Sequence, residues 1–191
     1  MLTLLAVGKT KTVPVLITAV AEEGEPKKYA ITESEYRALG CPAVGDTLNG
    51  EDEVRLLSMD EAHRAYTAAV RILSFGDNNA ATLCRKLRAR GFSATAAEGA
   101  VALAIRRGYL REDDILERSV LAAARKLWGP RRITEALVAK GYRRGEVEDT
   151  LRRLADAGEI DFRASRRRLL EDRLRDEPPE KKRAFLYRYG Y

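Results

Sequence analysis

The feature that most constrains this sequence is an ending that recurs three times. A leucine is followed, after three intervening residues, by a glycine and an aromatic residue. The copies are Leu87-Gly91-Phe92, Leu137-Gly141-Tyr142 and Leu186-Gly190-Tyr191. Successive copies lie about fifty residues apart, and recurrence at a fixed period indicates a duplicated supersecondary unit. A unit of that length buries little surface alone, so it is expected to pack on its neighbours or on a sheet.

From residue 58 onward the pattern predicts helices. Apolar residues recur at spacings of three and four, and nearly every glycine and proline falls at an expected helix end. Helix starts are predicted at capping boxes over 58–61 and 95–98, and at 77–79, Asp113, Gly129-Pro130, Asp161 and residue 180. We therefore expect three-helix units at 58–112 and 113–160, and at 161–191 a third, truncated copy that stops where its last helix would begin.

The pattern of residues 1–57 instead predicts a small β-rich N-terminal domain. Strands are predicted over 13–20, 28–32 and 53–57, and a short helix over 33–40 that ends at Gly40. The expected fold is mainly α: tandem three-helix repeats preceded by this small β-rich domain.

Charge divides the chain at the same place. The whole sequence carries a net charge of +6, but residues 1–57 hold 6 basic and 9 acidic residues, which leaves the excess of positive charge on the helical part. A basic body favours polyanions or acidic protein faces as partners. Cys41 and Cys84 fit no ligand or redox spacing and are interpreted as free thiols in a reducing compartment. No apolar run is long enough to cross a bilayer, and no leader pattern is present, so a cytoplasmic protein is expected.

Catalysis finds little support in the sequence. His63 is the one histidine and has no Cys or carboxylate at metal-ligand spacing, so a surface histidine explains it better. The pair Asp113-Asp114 suits a helix N-terminus. No phosphate-binding loop or nucleophile elbow occurs. We predict no enzymatic activity, no cofactor and no metal site; a nuclease at the acidic helix starts is the enzyme alternative.

Basic clusters are the strongest functional signal. Any one cluster could be a solvated helix face, but their recurrence in each repeat, including 85–90 and Arg106-Arg107, favours a shared basic surface. The residues chosen as partner- or nucleic-acid-binding candidates are Arg131, Arg132, Lys140, Arg143, Arg144, Arg166, Arg167 and Arg168. Trp128 and the aromatic residues of the repeated ending are interpreted as packing groups rather than as a stacking platform.

The motifs of the helical part resemble a known family. The residues that carry the likeness are Leu87…Arg90-Gly91-Phe92, then 108–114 (GYLREDD), then 129–141 (GPRRITEALVAKG). This order resembles the RecX family of recombination regulators, over about 62–191. Residues 28–32 and 39–46 also resemble the β extension that some members carry.

The resemblance implies an array of tandem three-helix repeats and no catalytic site. It also implies binding to the RecA recombinase and its filament on DNA, restraint of filament growth and activity, and weaker binding to single- or double-stranded DNA. A monomer is expected because the sequence shows no dimerisation helix or heptad seam, and no membrane partner is expected. The alternative is a DNA-binding transcriptional regulator, because the second and third helices of each unit have the length and turn of a helix-turn-helix.

Overall fold

A computed structural model describes residues 1–11 and 15–191. Its N-terminal part is an antiparallel sheet of four strands, β1 (Leu2–Gly8), β2 (Val15–Ala21), β3 (Lys27–Ile31) and β4 (Thr47–Leu48), in the order β3-β2-β1-β4. Val15, Ile17 and Ala19 alternate along β2 and point into the core. Strands predicted over 13–20 and 28–32 are thus confirmed from Val15 onward, while Val13 and Pro14 lie outside the described residues. Strands β1 and β4 were not predicted from the sequence.

Helix α1 (Glu33–Ala38) follows strand β3, and helix α2 (Gly50–Ser74) follows strand β4. Helix α1 begins at a capping box made by Thr32 and Glu35. Helix α2 begins at Asn49, whose side chain accepts the N–H of Asp52. The strand predicted over 53–57 and the helix start predicted at Ser58 are therefore wrong, because the helix begins eight residues earlier.

The reason for this error is the density of apolar residues around position 56. Val54, Leu56 and Leu57 alternate partly like a strand, but only Leu56 reaches the core. Val54 and Leu57 are 66% and 45% exposed. Leu56 packs with the sheet core, and one turn further on the buried Asp60 accepts the backbone N–H of Ala30 at 2.8 Å. These two contacts fix α2 on strand β3.

The remaining helices are α3 (Ala80–Arg88), α4 (Ala94–Arg106), α5 (Glu112–Ala124), α6 (Pro130–Ala139), α7 (Arg144–Asp156), α8 (Phe162–Arg173) and α9 (Pro179–Tyr189). Starts predicted at Asp161 and at Gly129-Pro130 are confirmed, and Asn79 caps α3 by accepting the N–H of Thr82. The start predicted at Thr95 is wrong, because Ser93 is the capping residue. Within the described residues the chain is mainly helical with one small sheet, which confirms the predicted fold class.

Three of these helices end in the same way. Gly91, Gly141 and Gly190 adopt left-handed φ values of +90°, +98° and +92°. The next residue, an aromatic, donates its backbone N–H to the leucine carbonyl five positions earlier, at 3.4, 3.2 and 3.0 Å. This is the Schellman geometry, in which glycine avoids the clash of a Cβ. The repeated ending is therefore a helix stop, as predicted.

The chain divides into two compact units. The first contains Met1–Gly76 and Cys84–Tyr109, and its helix α2 packs against both β3 and α4. The second contains Asp77–Leu83 and Leu110–Tyr191. Its core is formed by α5, α6 and α7 around Val120, Ile133, Leu137, Val147 and Leu154. No helix in the described part of the chain has the length and apolar content needed to cross a membrane.

Candidate functional site

The second unit is organised around a junction between helices α6 and α9. The backbone N–H of Gly129, the N-cap of α6, donates to the carbonyl oxygen of Tyr189 at 2.7 Å. A Cβ on Gly129 would lie 2.4 Å from the carbonyl oxygen of Gly190. Only glycine allows the two backbones to approach this closely. The start of α6 thus lies on the end of α9.

The same arrangement occurs between α3 and α6, within the same unit. Asn79, which caps α3, donates through Nδ2 to the carbonyl oxygen of Lys140 at 2.9 Å. A Cβ on Gly141 would lie 2.6 Å from the Cβ of Ala81. Each junction therefore joins the start of one repeated helix to the glycine that ends the next. The chain uses the equivalent contact twice.

Arg131 and Arg132 lie at the α6–α9 junction and make contacts inside the unit. The guanidinium of Arg131 donates to the carbonyl oxygen of Tyr187 and lies 4.0 Å from the centre of its ring. Arg132 lies 4.2 Å from the ring centre of Trp128 and 5.1 Å from that of Tyr189. Both side chains thus help to hold α9 against α6.

Trp128 is half-buried and packs on the core of the second unit. This placement agrees with its interpretation as a packing group between two helices. Its ring also faces the ammonium group of Lys126 at 5.5 Å. The indole ring therefore contacts two cationic side chains, those of Lys126 and Arg132.

The other predicted residues of the middle repeat point outward. Arg143 and Arg144 are exposed and pair with Glu146 and Glu148 at 3.7 and 3.5 Å. Surface pairs of this kind contribute little energy and exchange easily for another anion. Lys140 is exposed, and its side chain makes no ion pair within the described residues. These three cations are available to a partner.

Arg166, Arg167 and Arg168 form one exposed stretch of α8. Arg168 pairs with Asp172 at 3.3 Å. Arg166 borders a depression of about 390 Å³ between α8 and α9, together with Lys182, Arg183 and Tyr187. Because Arg131 also contacts Tyr187, this ring links the predicted candidates of α6 with those of α8.

Tyr191, the last residue of the sequence, also borders this depression. Burial raises the pKa of Tyr191, and a hydrogen bond with Ser165 partly opposes this shift. The hydroxyl of Tyr191 also donates to the carbonyl oxygen of Leu127 at 3.4 Å. The phenol is therefore a neutral packing group at ordinary pH.

A larger depression lies in the first unit, between α2 and α4. It has a volume of about 900 Å³ and is bordered by Arg64, Arg71, Arg90, Arg106 and Arg107. Arg90 and the pair Arg106-Arg107 belong to the predicted basic clusters but are not among the predicted partner-binding residues. The missing signal was the spacing of Arg64 and Arg71, which places both on one face of α2.

The described residues contain no group of three or more His, Cys, Asp or Glu side chains that could hold a metal ion. His63 is half-buried on α2 and borders the larger depression. The surfaces built here are basic and polar, and they suit the binding of an anionic partner.

Curated proteins with sequences similar to part of this chain are regulatory proteins. No family model matches the chain. The regulatory protein RecX of Ectopseudomonas mendocina is 34% identical over 94 residues, which are 49% of this chain and 63% of that protein. The regulatory protein RecX of Pseudomonas syringae pv. tomato is 36% identical over 84 residues, 44% of this chain and 54% of that protein. The matched regions thus span less than two thirds of the length of these relatives.

A solved structure extends the likeness in fold to the whole chain. The crystal structure of a regulatory protein RecX superposes with a TM-score of 0.73 and covers 100% of this chain and 95% of that one. Sequence identity in this superposition is 16%, so this comparison establishes the fold alone.

Proposed function

We propose that this chain is a member of the RecX family that binds the RecA recombinase filament on DNA and restrains its assembly and activity. The partial matches to curated relatives support this proposal, and the shared fold is consistent with it. The relatives are named regulatory proteins, which supports a regulatory role. In this proposal the chain acts by binding and carries out no catalysis.

The observation that carries the proposal is the repeated junction. The contact between α6 and α9 and the contact between α3 and α6 use equivalent residues of successive repeats. Within the second unit, the starts of α3 and α6 therefore meet equivalent helix ends. A filament of identical subunits offers equivalent sites at a regular spacing, so several weak contacts can act together.

We place the contact on the exposed cations of the second unit. Lys140, Arg143 and Arg144 form one group, and Arg166, Arg167 and Arg168 form the other. Arg131 and Arg132 support this contact indirectly, because their guanidinium groups are already engaged in holding α9 against α6. The partner surface is expected to be acidic, because charge complementarity steers such encounters.

A titration of RecA activity tests the proposal. The chain is added in increasing amounts to RecA on single-stranded DNA, and DNA-dependent ATP hydrolysis is followed. We expect hydrolysis to fall as the chain approaches the amount of RecA. Unchanged hydrolysis at a stoichiometric excess would refute the proposal.

The alternative, a transcriptional regulator with helix-turn-helix units, fits the structure less well. In the second repeat the helix expected to enter the major groove is α7, and a basic exposed face would be needed there. Its Arg153 is instead engaged by Glu117 of α5, at 2.6 Å. The bond to Glu117 also raises the pKa of Arg153.

A gel-shift assay separates the two functions. Sequence-specific retardation of duplex DNA in the absence of RecA would favour the transcriptional regulator. Binding that depends on the RecA filament would favour the recombination regulator.

A further inference from the structure

We propose that the depression between α2 and α4, here called the α2–α4 groove, binds the phosphodiester backbone of a nucleic-acid strand. The groove is bordered by Arg64, Arg71, Arg90, Arg106 and Arg107. It belongs entirely to the first unit, whereas the proposed RecA-binding cations belong to the second. The inference rests on the proposed function in that it supplies a DNA contact for a protein that acts on a filament assembled on DNA.

Positive charge dominates the groove. Five arginines border it, and Glu35 is the one carboxylate among its lining residues. Glu35 is occupied by the cap of α1, where it accepts the N–H and the hydroxyl of Thr32, both at 2.7 Å. Within the described residues, Glu35 forms no ion pair with any of the five arginines.

Three of the five arginines are uncommitted. Arg71, Arg90 and Arg106 are exposed and form no ion pair with the described residues. The other two are held in place: Arg64 pairs with the buried Asp60 at 2.8 Å, and Arg107 lies 4.9 Å from the ring centre of Tyr66. Two fixed guanidinium groups beside three unpaired ones form a surface ready for several phosphates.

Gly99, which lines the groove, provides a second, independent argument for a bound ligand. Gly99 lies in the interior of α4, where glycine costs about 1 kcal/mol relative to alanine. No atom lies within 4 Å of the position that a Cβ would occupy, and its φ is not left-handed. Nothing in the described chain therefore requires glycine at this position. A ligand that approaches the backbone closely would explain it.

The shape favours a nucleic-acid strand over an acidic peptide. Apart from Tyr66 and Leu103, its apolar lining consists of small residues: Ala62, Ala68, Gly99 and Ala100. Protein partners bind mainly through a few large anchors, above all Trp, Tyr and Arg, seated in well-packed pockets. A phosphodiester backbone needs only guanidinium and other donors at intervals along a channel.

The test measures binding of the full chain to a fluorescein-labelled oligothymidylate by anisotropy, without RecA. The groove variant carries Arg71→Gln, Arg90→Gln and Arg106→Gln. The control variant carries Arg125→Gln, Arg163→Gln and Arg175→Gln, which are exposed, lie in the second unit and remove the same charge. Circular dichroism and urea unfolding check that both variants fold.

We expect the groove variant to bind about tenfold more weakly at low salt and the control variant to bind like the parent. A plot of the logarithm of the binding constant against the logarithm of the salt concentration should also become less steep. The loss of three phosphate contacts should reduce its slope by about 2, because each phosphate on a single strand contributes about 0.7. The triple variant with Lys at the same three positions should recover most of the binding. A duplex of equal length, measured in parallel, shows whether paired or single strands supply the phosphates.

Equal losses in the groove and control variants would overturn the inference, because net charge alone would then explain binding. Unchanged binding of the groove variant would overturn it too. Competition by oligoglutamate as effective as that by unlabelled oligothymidylate of equal charge would assign the groove to an acidic peptide instead. Since RecA is absent, failure here leaves the ATP hydrolysis test of the proposed function untouched.

Discussion

The backbone N–H of Gly129 donates a 2.7 Å hydrogen bond to the carbonyl oxygen of Tyr189. The N-cap of α6 is thereby bonded to the last residue of α9. A helix N-terminus carries partial positive charge and a C-terminus partial negative charge, so their meeting is favourable. One backbone contact thus satisfies groups that each helix would otherwise leave without a partner.

The first prediction concerns this contact. Gly129→Ala should destabilise the chain by about 1–3 kcal/mol, because the new methyl group would overlap the backbone of Gly190 and neither helix end can yield easily. Gly145→Ala is the matched control, since Gly145 has no atom within 4 Å of its Cβ position. Urea unfolding of both variants gives the comparison. Equal stability of the two variants would contradict the junction.

The second prediction concerns Arg132. Arg132→Gln should destabilise the second unit by about 0.5–2 kcal/mol, because it removes the cation from the faces of Trp128 and Tyr189. Trp128 is the one tryptophan of the sequence, so its fluorescence reports on this site directly. The emission should shift in the variant. It should stay unchanged in Arg163→Gln, an exposed arginine of α8.

The placement of Arg131 and Arg132 changes how the RecA contact should be tested. Charge reversal at these positions would disturb the α6–α9 junction as well as any partner contact. Reversal at Lys140, Arg143 and Arg144 affects only exposed side chains. We expect Lys140→Glu, Arg143→Glu and Arg144→Glu together to weaken inhibition of RecA ATP hydrolysis at least about tenfold with unchanged helicity. Full inhibition by this variant would remove these three residues from the proposed contact.

The third stability prediction concerns pH. The carboxylate of Glu61 accepts the backbone N–H and the hydroxyl of Ser93, each at 2.8 Å, and these bonds lower its pKa from 4.5. A carboxyl with a lowered pKa in the folded state stabilises the fold above its unfolded pKa, and this contribution is lost as pH falls through the folded value. The parent should therefore lose more stability than Glu61→Gln as pH falls below about 4.5.

The size of this effect should stay below about 1 kcal/mol, because Glu61 is partly exposed. Glu98→Gln is the control, since Glu98 is exposed and forms no ion pair with the described residues. Urea midpoints measured across the acidic range check the prediction. Parallel curves for the parent and Glu61→Gln would contradict it.

The fourth stability prediction concerns Gly99. Gly99→Ala should stabilise the chain by about 1 kcal/mol, because alanine favours the helix and the Cβ meets open space. Gly108→Ala should do the opposite, since Gly108 ends α4 with a left-handed φ of +72°. Thermal unfolding of the two variants distinguishes them. Loss of stability in Gly99→Ala would show that the chain itself requires this glycine.

Much of the fold could be predicted because its signals are local. The glycine–aromatic endings, the proline at the start of α6 and the capping Asp161 each depend on a few neighbouring residues. The long helix α2 was misjudged because the apolar run at 54–57 resembles a strand. This segment is helical because Leu56 and Asp60 contact the sheet, and such a long-range contact cannot be seen in a local sequence pattern.

The candidate site was harder to predict for the same reason. The sequence shows that Arg131 and Arg132 are basic, but their partners lie 56 residues away on α9. The α2–α4 groove likewise joins arginines from separate segments of the chain.

The repeat boundaries at 58–112, 113–160 and 161–191 stay a proposal. A truncation at residue 58 would cut α2 within the helix, so the β-rich part is better probed by point substitution.

Co-sedimentation tests most directly the proposal that the chain binds the RecA filament. RecA filaments assembled on single-stranded DNA are pelleted with the chain, and the same DNA without RecA, carried on beads, serves as the control. We predict that the chain pellets with the filaments at a fixed ratio to RecA, well above the amount bound to DNA alone. Equal recovery with filaments and with bare DNA, or none with filaments, would contradict the account.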